Sequence, residues 1–402
     1  MRFDFITFLY YLSLLTFTLT LFLCREDILM TKFYPIACPI LNGNEKQYVI
    51  DCLDSNWISS NGSYIQKFEE QFAQYCGVKH AISCSNGTTA LHLALLAYGI
   101  KEGDEVIIPT FTFVATANAV VYCGGTPIFI DSDSTTWNID PAKIEEKITP
   151  HTKGIIPVHI YGHPADMDPI KELARKYNLF VIEDAAQAVG AQYKGKMTGA
   201  IGDCATFSLF GNKIITTGEG GIITTNDDHI AEKIQILKSQ GIDLKRKYWF
   251  PVIGYNYRMT NIQAAIGCAQ LENINWHIQQ RIRIANQYTQ NLKDDHRLIL
   301  PIEKEWAKNV YWMFSIICKD FTENERNLLM DRLKDKGIET RPFFYPMHVL
   351  PPYQNLQNPV EFPIINRISA QGINVPSYGS LTDDDIRYIS LKITETLNEI
   401  NT

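Results

Sequence analysis

From about Pro35 onward, the chain alternates short continuous apolar runs with stretches whose apolar residues recur at helical spacing. The runs at 80–85 (HAISCS), 105–109 (EVIIP), 127–131 (PIFID), 154–159 (GIIPVH) and 179–184 (LFVIED) predict strands. Residues 88–98 and 168–177 predict helices between them. Continuously apolar strands are buried on both faces, and helices between strands make the crossovers that parallel pairing requires. The expectation is therefore an α/β fold whose central sheet is mostly parallel and covered on both sides. After about Trp276 the pattern changes to a long polar helix at 277–292, a strand at 312–318 and a helix at 323–336. That section predicts a smaller C-terminal α+β domain. The division expected is 30–275 for the large domain and 276–402 for the small one. No internal repeat, low-complexity tract or heptad run interrupts either part.

Residues 1–29 stand apart as a hydrophobic N-terminal segment. From Phe5 to Cys24 there is no charged residue, and the run is long enough to span a bilayer. It reads as a membrane anchor, as a signal sequence, or as a segment outside a working protein that begins at Met30. No small-residue cleavage site follows it, which counts against the signal reading.

Composition narrows the function classes. Of 402 residues, 46% are hydrophobic and 20% charged, enough to bury a large core, and the formal net charge is −7. Such an acidic balance argues against a nucleic-acid partner, whose phosphates call for clustered Lys and Arg. The short cluster Lys245-Arg246-Lys247 reads as a solvated loop. The nine cysteines are scattered without a Cys-x-x-Cys pair, so no metal site is expected and a cytoplasmic, thiol-reducing setting is. A glycan on the Asn86 sequon would block the loop described next, which also argues against secretion.

Three pieces carry candidate chemistry. Asp184 closes the apolar strand at 179–184, at the carboxyl end of a parallel strand where open α/β sheets bind ligands. Alone, it would read as a helix cap. Lys213 ends Ser208-Leu-Phe-Gly-Asn-Lys213 and precedes the turn Gly218-Glu-Gly-Gly221. A lysine whose pKa is lowered by burial becomes a nucleophile able to form a Schiff base with an aldehyde. Alone, it would read as a surface lysine beside a glycine turn. Ser83-Cys-Ser-Asn-Gly87-Thr88-Thr89 is a strand-to-helix junction where amides and hydroxyls at a helix start would suit a phosphate. It lacks the Gly-Lys-Ser/Thr of a nucleotide-binding P-loop, and alone it would read as an ordinary helix cap. Taken together, a phosphate cradle, a carboxylate for a pyridine nitrogen and a Schiff-base lysine are what pyridoxal phosphate (PLP) requires.

The runs Trp57-Ile-Ser-Ser, Pro109-Thr-Phe-Thr-Phe-Val-Ala-Thr, Glu183-Asp-Ala-Ala-Gln187 and Gly211-Asn-Lys-Ile-Ile-Thr-Thr-Gly-Glu-Gly-Gly221 resemble the DegT/DnrJ/EryC1/StrS family of PLP-dependent nucleotide-sugar aminotransferases. Gly254-Tyr-Asn-Tyr-Arg-Met-Thr-Asn261 and Thr340-Arg-Pro-Phe-Phe-Tyr-Pro-Met-His348 extend the resemblance, which runs from Pro35 to the C-terminus. It implies the type I PLP-dependent aminotransferase fold and alternation of the cofactor between PLP and its amine form, PMP. It also implies that Lys213 is the Schiff-base lysine and acid/base, and that Asp184 pairs with the ring nitrogen. Gln187 would sit near the ring's phenolic oxygen, Phe113 on the ring face, and Thr88, Thr89 and Ser208 on the phosphate. Asn256 would reach the phosphate of a neighbouring subunit and Arg258 an anionic substrate group, which implies a homodimer with shared sites. Arg341 and His348 would line the sugar-nucleotide end, with His348 alternatively a polar loop residue. Family members that dehydrate sugars carry His at the lysine position, so Lys213 implies amine transfer. The resemblance further implies glutamate as donor, 2-oxoglutarate as its product, and a nucleotide-linked 4-keto-6-deoxyhexose as acceptor. GDP is favoured over UDP as the nucleotide, and a 3-keto sugar is the remaining alternative.

Overall fold

Parallel pairing of the predicted strands sets the architecture of the molecule, seen in a computed structural model that describes residues 32–400. The apolar run at 5–24 and Met30 lie outside the described residues. No helix among the described residues is long and apolar enough to cross a membrane.

The first sheet uses β1 (His80–Cys84), β2 (Glu105–Pro109), β3 (Thr126–Ile130), β4 (Thr152–Ile155), β5 (Phe180–Asp184), β8 (Cys204–Ser208) and β9 (Gly221–Thr225), in the order β1-β9-β8-β5-β4-β2-β3. The short strands β6 (Gln192–Tyr193) and β7 (Lys196–Met197) form a hairpin that pairs with β11 (Ala307–Lys308) in a separate sheet. Pairing is parallel from β8 through β5, β4 and β2 to β3. The mostly parallel α/β sheet is thus the one expected. Strand β9 departs from it, lying antiparallel to both β1 and β8. The connection 209–220 contains no helix to carry the chain back across the sheet, so the chain returns as a hairpin. Strand β4 ends at Ile155, short of the expected 159. Pro157 has no N–H to continue the ladder.

The helices of this part are α1 (Glu45–Asp54), α2 (Ser63–Cys76), α3 (Gly87–Ala97), α4 (Ala115–Tyr122), α5 (Met167–Tyr177), α6 (Asp228–Lys238) and α7 (Asn261–Glu272). Helix α3 is buried nearly all round, from Ala90 to Ala97, which explains why its apolar residues do not form a single stripe. Its N-cap is Asn86, whose side chain accepts from the Thr89 N–H while the Thr89 hydroxyl takes the Asn86 N–H. This reciprocal pair fixes the start of the helix next to the end of β1.

The long helix α8 (Ile274–Leu292) leads to an antiparallel sheet ordered β10-β12-β14-β13, from β10 (Leu298–Ile299), β12 (Phe314–Cys318), β13 (Arg341–Pro342) and β14 (Gly372–Val375). Helices α9 (Glu323–Asp335), α10 (Pro363–Gln371) and α11 (Asp383–Ile400) complete this part. Although polar in composition, α8 buries His277, Ile278, Arg281, Ile284, Ala285, Tyr288 and Leu292, a stripe at helical spacing. Its C-terminal half enters a second hydrophobic core with Phe314, Ile316, Leu329 and Ile393. Tyr34 joins that core as well, bridging to Ile338, so the first described residues pack against the last part of the chain.

Gly221 shows how tightly the chemistry-bearing loops are stacked. Its register partners are Cys84 on one side and Ser208 on the other. A Cβ there would lie 2.3 Å from the Asn86 carbonyl oxygen, which is backbone and cannot rotate away. Replacing Gly221 by Ala is expected to cost about 1–3 kcal/mol by overpacking. A thermal melt reads this as a lower midpoint, and an unchanged midpoint would show that the loop yields.

Candidate active site

The carboxyl ends of β1, β5 and β8 open on one cavity of about 470 Å³, whose walls include Gly87, Thr88, Phe113, Asp184, Gln187, Ser208 and Lys213. Its size suits a cofactor-scale ligand. Arg341 stands at its edge on β13, near the Glu339 carboxylate at 3.4 Å.

Asp184 is 5% exposed at the end of β5. One carboxylate oxygen accepts the Thr116 hydroxyl at 2.7 Å and the other accepts the Ala186 N–H at 3.1 Å. The single proton of Thr116 is used on Asp184, so the Thr112 hydroxyl, 2.9 Å away, donates to Thr116. Burial raises the Asp184 pKa, opposed by the Thr116 hydroxyl, the Ala186 N–H and the positive charge of Lys213. Behind it, Glu183 is fully buried and accepts backbone N–H groups from Gly199, Ile201 and Gly202. It also faces His159 Nε2 at 3.0 Å. The Ala165 N–H donates to His159 Nδ1, which leaves Nε2 as the donor to Glu183. A buried carboxylate satisfied on this scale locks the end of β5 in place.

Lys213 sits in the β8–β9 connection, its N–H bonded to the Phe210 carbonyl in a tight turn. Burial pushes its amine down to about 8, with the Asp184 carboxylate pulling it back up. Its Nζ lies 3.8 Å from the centre of the Trp312 ring. The Gln187 side chain accepts the Tyr161 N–H at 2.7 Å, and Tyr161 holds a left-handed backbone at φ 52°. Gln187 is thereby oriented by a strained residue on the cavity wall.

The residues expected of a phosphate loop lie where α3 begins, and two of them, Thr88 and Ser208, line the cavity. A Cβ on Gly87 would come 2.8 Å from the Ser208 Cβ, so only glycine lets these two walls approach. The amides of Gly87 and Thr88 open α3 and have no carbonyl of their own helix to bond. Thr89 is different. Its hydroxyl and N–H are both used on Asn86, at 2.8 to 3.1 Å, and it does not line the cavity. Phe113 is 55% exposed on the cavity wall, 5.8 Å from the Phe344 ring, and presents a free aromatic face.

Three expected residues lie elsewhere. His348 is fully buried and stacks on Phe362 with ring centres 4.1 Å apart. Its two nitrogens face the Thr110 hydroxyl at 2.7 Å and Asn366 at 2.9 Å. With both nitrogens engaged it is not brought to the cavity, and it is no exposed loop residue either. Asn256 is exposed and accepts from the Arg258 guanidinium at 3.2 Å. Neither lines the cavity of its own chain. Sequence reasoning passed over Thr116, Tyr161 and Trp312 as site residues. Thr116 lies in the first turn of α4 while Thr112 precedes that helix, so their spacing carried no helical-face signal. Trp312 gave none, because it reads as a strand residue.

A cradle that only glycine permits, an enclosed carboxylate and a half-buried lysine of lowered pKa fit PLP, and the fold is that of type I PLP-dependent aminotransferases. The model of the DegT/DnrJ/EryC1/StrS aminotransferase family matches residues 39–394, and the chain belongs to that family. It is 52% identical to the GDP-perosamine synthase of Caulobacter vibrioides over 363 residues, covering 90% of this chain and 98% of that protein. Among solved structures it is similar to Helicobacter pylori PseC, an aminotransferase involved in the biosynthesis of pseudoaminic acid. That match has a TM-score of 0.87 and 27% identity, and covers 92% of this chain and 100% of the other. It is also similar to the PMP form of Streptococcus pneumoniae Spr1654, at TM-score 0.87 and 26% identity, covering 92% and 98% of the two chains.

The Thr116 hydroxyl bond to Asp184 favours the ionised carboxylate, and such charged hydrogen bonds contribute about 1.5–3 kcal/mol. Thr116→Val is therefore expected to raise the Asp184 pKa by roughly one unit or more. The pH below which PLP is lost should move upward by a similar amount, read from the retained visible band after desalting across a pH series. An unmoved midpoint would remove this hydrogen bond from the account.

Proposed function

We propose that the chain transfers an amino group from glutamate to C4 of a GDP-linked 4-keto-6-deoxyhexose, as a GDP-perosamine synthase does. The observation that carries the reading is the Lys213 amine and Asp184 carboxylate facing one enclosed cavity in a member of this aminotransferase family. The 52% identity to a GDP-perosamine synthase over nearly the whole of both chains favours the GDP-linked 4-keto substrate.

In this reading PLP, when bound, supplies the electron sink that lets an amine leave one carbon and join another. Lys213 would hold the cofactor through Nζ and, with that amine free, would serve as the acid/base that moves a proton at the reacting carbon. An amine poised near 8 can both take and give that proton near neutral pH. Asp184 would keep a proton on the ring nitrogen, Gln187 would border the phenolic oxygen, and Phe113 would cover the ring face, all three lining the cavity. Gly87, Thr88 and Ser208 would hold the phosphate, with Thr89 acting through the Asn86 cap. Arg341 stands where an anionic part of the substrate would enter.

A homodimer completes the reading. Tyr248 is 86% and Ile253 91% exposed, with Trp249 and Phe250 about half exposed between them. That apolar run precedes Asn256 and Arg258, which do not line their own cavity and would serve a partner's. The eight described cysteines are all unpaired, in keeping with a cytoplasmic setting.

Protein begun at Met30, loaded with PLP and given glutamate, tests the substrate with GDP- and UDP-4-keto-6-deoxyhexose in separate reactions. Mass spectrometry should find ketone-to-amine exchange in the GDP reaction, with ping-pong kinetics and loss of product in Lys213→Ala. Exchange with the UDP sugar alone would correct the nucleotide, and no exchange with either would sink the 4-keto reading.

A further inference from the structure

The least expected neighbour of Lys213 is Trp312, which reaches the cavity from the C-terminal part of the chain. The indole is fixed on several sides. Its N–H donates to the Asn212 carbonyl at 2.8 Å, one residue before the lysine. The Trp312 backbone carbonyl accepts from the buried Arg281 guanidinium at 3.1 Å, which anchors the main chain that carries the ring, and Arg281 also donates to the Ser377 carbonyl. Tyr161 packs beside it with ring centres 6.2 Å apart. At 4% exposure, Trp312 is a rigid platform, and Lys213 Nζ stands over its face at 3.8 Å.

A cation over an indole face is attracted by the ring's negative quadrupole, most strongly where water is excluded. The attraction acts on the ammonium and not on the neutral amine. A lysine that alternates between bonding a cofactor and carrying a proton needs somewhere to stand in the second state, within reach of the first. Direct pairing with Asp184 would occupy the carboxylate needed at the ring nitrogen. The aromatic face supplies attraction without competing for it.

We propose that Trp312 is a positioning residue whose indole face docks the Lys213 ammonium whenever that amine carries a proton instead of a bond to the cofactor. The proposal rests on the reading of Lys213 as the cofactor-bearing lysine. It also couples the lysine to the C-terminal sheet, because Arg281 holds the Trp312 backbone two residues before β12 while the indole N–H holds Asn212. The other charged groups facing this region are Asp184, Glu219 and Arg341 on the cavity wall, and His277 and Arg281 on a small polar recess that Lys213 also borders. None of them is changed in the variants below.

The test reads the lysine itself, in the full chain freed of cofactor. An amine-selective acylating reagent is applied across a pH series, and labelling of each lysine is followed by peptide mass spectrometry. Removing the face in Trp312→Leu should lower the apparent pKa of Lys213 by about one unit, since a desolvated cation–π contact is of that size. Trp312→Phe, which keeps an aromatic face with a weaker field while giving up the indole N–H bond to Asn212, should lower it by a smaller but resolvable amount. Exposed lysines such as Lys196 should titrate as in the unaltered protein. Lys213 titrating unchanged in Trp312→Phe and in Trp312→Leu, or moving upward in either, would overturn the proposal. Should Trp312→Leu not be recovered folded, the phenylalanine variant decides alone. The readout needs neither sugar nor donor, so a wrong substrate assignment leaves it intact. Absence of cofactor at Lys213 in the loaded protein would sink the underlying reading separately.

Discussion

Two groups of opposite charge share one cavity in this protein, and the rest of the site follows from keeping them together without letting them neutralise each other. Burial alone would drive the Asp184 carboxylate toward its protonated form and the Lys213 amine toward its neutral one. Their mutual attraction opposes both tendencies. The Thr116 hydroxyl and the Ala186 N–H add to the carboxylate side, and the Trp312 face lies under the amine. The result is a carboxylate fit to hold a proton on a ring nitrogen and an amine poised near neutrality.

That balance needs a frame that does not move. Parallel strands deliver Asp184 and Ser208 to the same edge of the sheet, and the reversed strand β9 starts at that edge with Gly221 wedged between Cys84 and Ser208. Glu183 and its four donors fix the end of β5 from behind. Asn86 and Thr89 fix the first turn of α3 from the side. The hydrogen bonds that a bound phosphate would otherwise take from Thr89 are spent on building the loop that holds Gly87 and Thr88 in place.

Much of this was legible in the sequence. Asp184 could be placed because a continuous apolar strand ends on it, and Lys213 because glycines bracket it just before β9. The DegT-type motifs then bound the separate pieces into one chemistry. What stayed hidden depended on contacts between distant segments. The reversal of β9 follows from the missing helix in 209–220, a negative signal that apolar runs do not display. His348 reads as a polar residue among prolines, yet tertiary packing places it against Phe362 with both nitrogens engaged. Trp312 looks like any large residue entering a strand, and only the docking of the C-terminal sheet brings its indole under Lys213. The meeting of residues a hundred positions apart, such as Trp312 and Asn212, is not written in local spacing.

Family membership, the cradle at Gly87 and the Lys213–Asp184 pair all converge on one covalent attachment. The central claim is therefore that PLP is carried by Lys213 and by no other lysine. Loading the full chain with PLP, reducing it with borohydride and mapping the peptides by mass spectrometry tests this directly. The account predicts a pyridoxyl-phosphate adduct on the peptide containing Lys213, in near-stoichiometric amount. An adduct on a different lysine, or a loaded protein that reduces without any adduct, would contradict it.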